Sequence, residues 1–80
     1  MEVAIYTNLV YGSNNVLWAS AHHTEDEAWE EARKWLAEEM GGTDEEYAAV
    51  EAMSNDEVWD TIMDYDYIGF ADIAVKRVLY

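Results

Sequence analysis

"TEDEAWEEARKWLAEEM", Thr24 to Met40, decides how the rest of the chain is read. Thr24 stands three residues before Glu27, the spacing at which a hydroxyl and a carboxylate reciprocally satisfy free N–H groups at a helix start. Behind that cap, Ala28, Trp29, Ala32, Trp35, Leu36 and Met40 fall on one arc of a helical wheel, and Glu27, Glu30, Glu31 and Glu38 fall opposite. Gly41-Gly42 supplies the stop. A helix with one apolar face must bury it against another layer, so the neighbouring segments have to provide one.

The same signature recurs twice downstream, at Thr43-x-x-Glu46 and Ser54-x-x-Glu57. The second helix is expected from Asp44 to about Met53, with Tyr47, Val50 and Met53 inward and Asp44 and Glu51 outward. In the third, Val58, Trp59, Ile62 and Met63 form the apolar stripe, while Glu57, Asp60 and Asp64 line the far side. All four tryptophans, Trp18, Trp29, Trp35 and Trp59, occupy positions compatible with core packing.

The flanks read as strands. "EVAIYTNLV" is rich in β-formers and puts Val3, Ile5, Thr7 and Leu9 on one face. "GSNN" at 12–15 is turn chemistry and "VLWASAHH" continues as a second strand, giving a hairpin. After Gly69, "FADIAVKRVLY" alternates Ile73, Val75 and Leu79 against Asp72, Ala74 and Lys76 as a third strand. The expected fold is α+β in the order β-β-α-α-α-β, a single domain over residues 1–80. Acidic helices lie on one face of a three-stranded antiparallel sheet, with the last strand beside the first or the second.

Composition bounds the function. Eighty residues lie near the small end of what folds on its own core, and four Trp and six Tyr make that core substantial. The absence of cysteine rules out a disulfide framework or a thiolate metal site. No apolar run approaches the roughly 18 residues of a membrane-spanning helix. The N-terminal residues carry no basic stretch ahead of an apolar one, so a cytoplasmic location is expected. A net charge of −14 argues against direct binding to nucleic acid or to anionic membranes.

Catalytic and metal chemistry find little support. His22-His23 is the only histidine pair, but adjacent strand residues point to opposite faces and do not converge on one ion. "DYDYIG", Asp64 to Gly69, has the glycine of a calcium loop at position 6 but places Ile68 at position 5 and Val75 at position 12, where oxygen ligands are needed. No Gly-rich phosphate loop and no Ser-His-Asp set is present. The expectation is a protein that is not an enzyme and uses no cofactor or metal.

What stands out is where the charge sits. Residues 24–66 hold sixteen of the eighteen acids against only Arg33 and Lys34. A domain of this size needs a net charge of roughly 2–8 for solubility. Like charges at i,i+4, such as Glu27 with Glu31 and Asp60 with Asp64, each cost roughly 0.2–0.5 kcal/mol. An ordinary solvated face and halophilic adaptation both yield acidic surfaces. A surface beyond the needs of solubility also fits a binding role, with Glu27, Glu30, Glu31, Glu38, Asp44, Glu51, Glu57, Asp60 and Asp64 as candidate contacts. Carboxylates four residues apart are separated by about 6 Å of axial rise, close to the spacing of neighbouring phosphates along a nucleic-acid strand. Tyr65 and Tyr67 are candidates to add aromatic contacts where bases would stack.

With an opening strand "VAIYTNLVYG", a following "TEDEAWEEARKWLAEE" and acidic helices at Glu27–Glu38 and Glu57–Asp64, the chain resembles small phage-encoded inhibitors that mimic DNA, including anti-CRISPR and antirestriction proteins. The likeness is one of size, charge and arrangement, and it transfers no functional residue. It implies an inhibitor acting in the host cytoplasm. Its partner would be a basic nucleic-acid-binding protein or ribonucleoprotein complex, whose groove it occupies. Two alternatives stay open: an acidic antitoxin-like module that neutralises another basic protein, and a small assembly protein, including a homodimer, that pairs through a sheet edge.

Overall fold

The computed structural model describes residues 3–79. They run β1 (Val3–Tyr11), β2 (Val16–His22), α1 (Glu25–Glu39), α2 (Asp44–Glu51), α3 (Asn55–Met63) and β3 (Phe70–Leu79), the β-β-α-α-α-β order read from the sequence. The hairpin turns where the Gly12 N–H donates to the Asn15 carbonyl at 2.9 Å. β3 returns antiparallel to β1, so the strand order is β2-β1-β3 and the last strand lies beside the first.

The alternation of β1 selects its two faces. Asn8 and Val10 are buried, and the Asn8 side chain reaches the Ala28 carbonyl of α1, so the even-numbered face meets the helices. Val3, Ile5, Thr7 and Leu9 do share a face, and it is the one turned away from the helices. Cross-strand partners share a face, which puts Ala19 and Ala21 of β2 there as well, opposite Leu9 and Thr7. The expected alternation of β3 fails at one place. Between Thr7 and Leu9 the register slips, and Ile73 and Ala74 together oppose Asn8. Across this bulge Ile73 is buried on the helical side, whereas Val75 and Leu79 pair with Thr7 and Val3 on the open side. Ala74 takes a left-handed φ of 54° to make the extra step.

The helices form the second layer. α1 crosses all three strands, α3 packs on α1 and β3, and α2 leans on α1. The Cα envelope is only 18 Å in its shortest dimension, the thickness of one helical layer on one sheet. Leu36, Ile62, Val10, Val50 and Val58 are fully buried between the layers; each such side chain contributes about 1.5–3 kcal/mol. Trp18 of β2 stacks on Trp35 of α1, with ring centroids 5.6 Å apart and planes within 12°. Trp29 also packs on the core. Trp59 departs from expectation. It is 40% exposed and lies on the rim, because its indole N–H reaches out to the Ala71 carbonyl of β3 at 3.0 Å.

Each helix begins at the expected cap. Thr24, Thr43 and Ser54 accept the backbone N–H of Glu27, Glu46 and Glu57 respectively. Only α3 closes the full box, with the Glu57 carboxylate taking the Ser54 N–H at 3.3 Å. At α2 the Glu46 carboxylate accepts the Thr43 hydroxyl proton instead. α1 ends where Gly42 donates to Ala37 at 2.9 Å and Gly41 to Glu38 at 3.2 Å. This two-bond ending turns the chain with φ of 132° at Gly41 and 74° at Gly42, conformations open to glycine at little cost. α2 stops at Glu51 rather than Met53. Met53 donates back to the Val50 carbonyl, and its own carbonyl accepts the Arg33 guanidinium at 2.9 Å, which fastens α2 to α1.

Candidate functional site

The candidate surface is the outer side of the helical layer. Glu27, Glu30, Glu38, Asp44, Glu51, Glu57, Asp60 and Asp64 are exposed, and Glu31 is half-buried. Their periodicity places them outward, as the apolar arcs of the same helices turn in. Two of them already serve the fold. Glu57 closes the cap of α3, and Glu38 of α1 accepts the Tyr47 hydroxyl of α2 at 3.0 Å. Partial desolvation and then that bond to a carboxylate push the Tyr47 phenol above its usual range.

The remaining acids gather in groups. On the first two turns of α1, Glu27, Glu30 and Glu31 join Asp26 and His22 around a shallow concavity of about 370 Å³. His22 is held at the floor of this group by a 2.8 Å hydrogen bond with Ser20, and His23 is exposed on the far side of the strand end. A larger notch of about 610 Å³ lies along β3. Asp56 and Asp60, one turn apart on α3, line it with Trp29 and Trp59, and the edge strand borders it with Phe70 and Asp72. Asp64 sits apart with Thr61 and Tyr65. Asp44 and Glu51 on α2 line neither concavity. The nine acids therefore present separate groups on three helices rather than one row.

Asp26, Asp56 and Asp72 were missed from the sequence. Asp56 was within reach of the same logic, since it precedes Asp60 by four residues on one helix face. Asp72 joins them only because β3 is the strand beside α3. Of the tyrosines, Tyr65 is half-buried against the core, and its ring centroid lies 5.4 Å from that of Tyr67. The Tyr67 hydroxyl donates to Glu39 at 2.7 Å, and this bond, with some desolvation, pushes its pKa up to about 12.

The chemistry on offer is electrostatic. Among the described residues, no group of three His, Asp or Glu side chains is arranged to hold a metal ion. No helix of the described residues is long and apolar enough to cross a membrane. Both concavities are open to solvent and acidic, shapes that suit cationic side chains arriving from a partner. No protein-family model matches the chain, and neither the curated proteins nor the solved structures yield a match. The class is defined by the molecule itself: a two-layer α+β domain with an acidic helical side.

Proposed function

We propose that the protein is an inhibitor that lays its acidic helical layer into the basic groove of a nucleic-acid-binding partner, in the manner of anti-CRISPR and antirestriction DNA mimics. One observation carries the reading. Residues 24–66, which form the helical layer and its connections, sum to −14, whereas the three strands carry only Asp72, Lys76 and Arg77. Such a field steers a basic surface toward one side of the molecule and raises the encounter rate. Carboxylates held on helices replace phosphates in releasing counterions from the groove, and the nucleic acid is then excluded by occupancy. The exposed rings of Trp59 and Phe70, beside Asp56 and Asp60, supply faces on which arginine side chains stack.

The decisive experiment is a tagged pull-down from nuclease-treated host lysate, eluted with a short duplex DNA or a guide-like RNA. Release of a nucleic-acid-handling complex by the competitor supports mimicry. A partner retained in its presence points instead to an antitoxin-like module, and recovery of no partner overturns the inhibitor reading. Charge reversal is best placed at Glu30, Asp60 and Asp64. Glu57 is unsuitable, because its carboxylate closes the α3 cap and its loss mixes binding with stability.

A further inference from the structure

The helices cover one face of the sheet and leave the other open. On that open face Val3, Leu17 and Leu79 are 47%, 39% and 50% exposed. Between them Ala19 and Ala21 stand opposite Leu9 and Thr7, and the small side chains leave a hollow of about 460 Å³ with Arg77 at its rim. Projecting leucines beside an alanine-floored hollow make a surface able to receive a copy of itself.

We propose that this face is the contact between two copies of the chain, stacked sheet on sheet about a two-fold axis. Charge selects the occupant. A chain of net charge −14 repels its own kind, and pairing through the helical side would bring two acidic layers together. Among the described residues its charges are Asp72, at the β3 edge opposite Leu9, and Arg77, opposite Ile5, which cancel. Sheets stack about 10 Å apart and helices pack about 10 Å behind each sheet. The acidic layers of a face-to-face pair therefore lie about 30 Å apart. That exceeds three Debye lengths at physiological salt, so the repulsion is screened in this arrangement, whereas contact through the helical side leaves it unscreened. A basic partner is drawn to the opposite side of the molecule, and an anionic ligand is repelled by the whole.

The area is adequate for a reversible dimer. Strands of nine and ten residues at β1 and β3 give a face about 30 Å long and about 14 Å wide. As a corrugated surface this amounts to roughly 600 Å² per copy and about 1,200 Å² in all, at the lower end of specific interfaces. Weak, reversible pairs lie at that end of the size range, and half-association is expected between about 1 and 100 μM. The proposal is independent of what the helices bind, and its test uses the purified chain alone.

Sedimentation velocity from about 1 to 500 μM is expected to show a mass rising from 9.2 kDa toward twice that value. Leu17→Glu and Ala19→Arg each place a charge in the contact and should weaken association by at least about 100-fold, with circular dichroism unchanged. Glu30→Gln on the helical side should leave it intact. The chain has no cysteine, so a thiol introduced as Ala19→Cys reports directly. It should resist alkylation at dimer concentrations, while one at the exposed Ala49 of α2 reacts freely. A wild-type chain that stays monomeric at 500 μM overturns the proposal. So do dimerisation of Leu17→Glu as strong as that of wild type, and equal alkylation at positions 19 and 49 in the dimer.

Discussion

The Asn8 side chain accepts the Ala74 backbone N–H at 2.8 Å and donates to the Ala28 carbonyl at 2.8 Å. One amide thus joins the central strand, the bulge of the edge strand and the helix that crosses them. Asn8 is 1% exposed, and no buried side-chain nitrogen or oxygen among the described residues lacks a partner. A polar side chain in the centre of an apolar layer is tolerated because every bond it needs is made there.

Asn8→Ala should therefore cost about 2–3 kcal/mol, because the Ala74 N–H is left without its acceptor and a small void opens. In a domain of this size that lowers the melting temperature by roughly 8–24 °C. Asn8→Asp keeps the acceptor but buries a charge against the Ala28 carbonyl, and should be at least as harmful at neutral pH. Urea denaturation of the two variants checks both statements. A loss below about 0.5 kcal/mol in each would show that the amide does not tie the layers together.

Ala74 pays for the bulge in backbone strain, with φ at 54°. A left-handed conformation costs an L-residue about 1–2 kcal/mol, a penalty glycine escapes at the expense of a more flexible unfolded chain. Ala74→Gly is expected to raise stability by roughly 0.5 kcal/mol. Ala74→Val should lower it by about 1–2 kcal/mol, since a β-branched residue fits this region poorly. Equal stability of the glycine and valine variants would contradict the assignment of strain to this residue.

Tyr67 makes alkaline stability a readout of the α1–β3 end of the molecule. Its folded pKa is about 12 against an ordinary value of 10.0, through the hydroxyl bond to Glu39. A raised folded pKa means that the folded state holds the proton longer than the unfolded one. Its stabilisation is complete below pH 10 and is lost as pH climbs toward 12. Because the ring is half exposed, solvent screening keeps the energy small. The wild type should lose more stability than Tyr67→Phe between pH 9 and 11.5. Parallel pH profiles for the two proteins would count against the bond.

The acidic layer predicts a response to salt. Glu27 with Glu31, Asp56 with Asp60, and Asp60 with Asp64 are like charges at i,i+4, each costing roughly 0.2–0.5 kcal/mol. Raising sodium chloride from about 20 to 200 mM shortens the Debye length to below 10 Å. The melting temperature should climb by several degrees in response. Asp60→Asn, which relieves two of these pairs, should raise the low-salt melting temperature and flatten its salt dependence. A melting temperature independent of salt would mean that the charges are better separated than their spacing implies.

The helices were legible because their signals are local. A hydroxyl three residues before a glutamate, and apolar residues at helical spacing, depend only on neighbours within one or two turns, and all three caps lie where the spacing puts them. The sheet was harder to read. β1 is apolar on both sides, so alternation separates Val3, Ile5, Thr7 and Leu9 from Tyr6, Asn8 and Val10 without saying which set meets the helices. Asn8 even points the wrong way, since a polar residue suggests solvent. The bulge follows from a bond between residues 66 positions apart, which no local pattern encodes. At the candidate site the outward acids of α1 and α3 were readable from the helical wheel. Their grouping with Asp72 and His22 depends on strand order. The double duty of Glu57 was present in its capping spacing, but so was its exposed position, and only the geometry shows the cap to be closed.

The bond from the Trp59 indole to the Ala71 carbonyl has a bearing on how this protein behaves when concentrated. An edge strand with free backbone groups is a template for further strands, and a sheet with two such edges can lengthen without limit into fibrils. Here the tryptophan occupies a hydrogen-bonding site on the β3 edge and its ring stands in the path of an incoming strand, leaving β2 as the more accessible border. Accretion that can start from one border alone stops when two such borders meet. Solutions of this chain should therefore keep without forming fibrils, and replacing Trp59 with a small residue is the change that would shorten their shelf life.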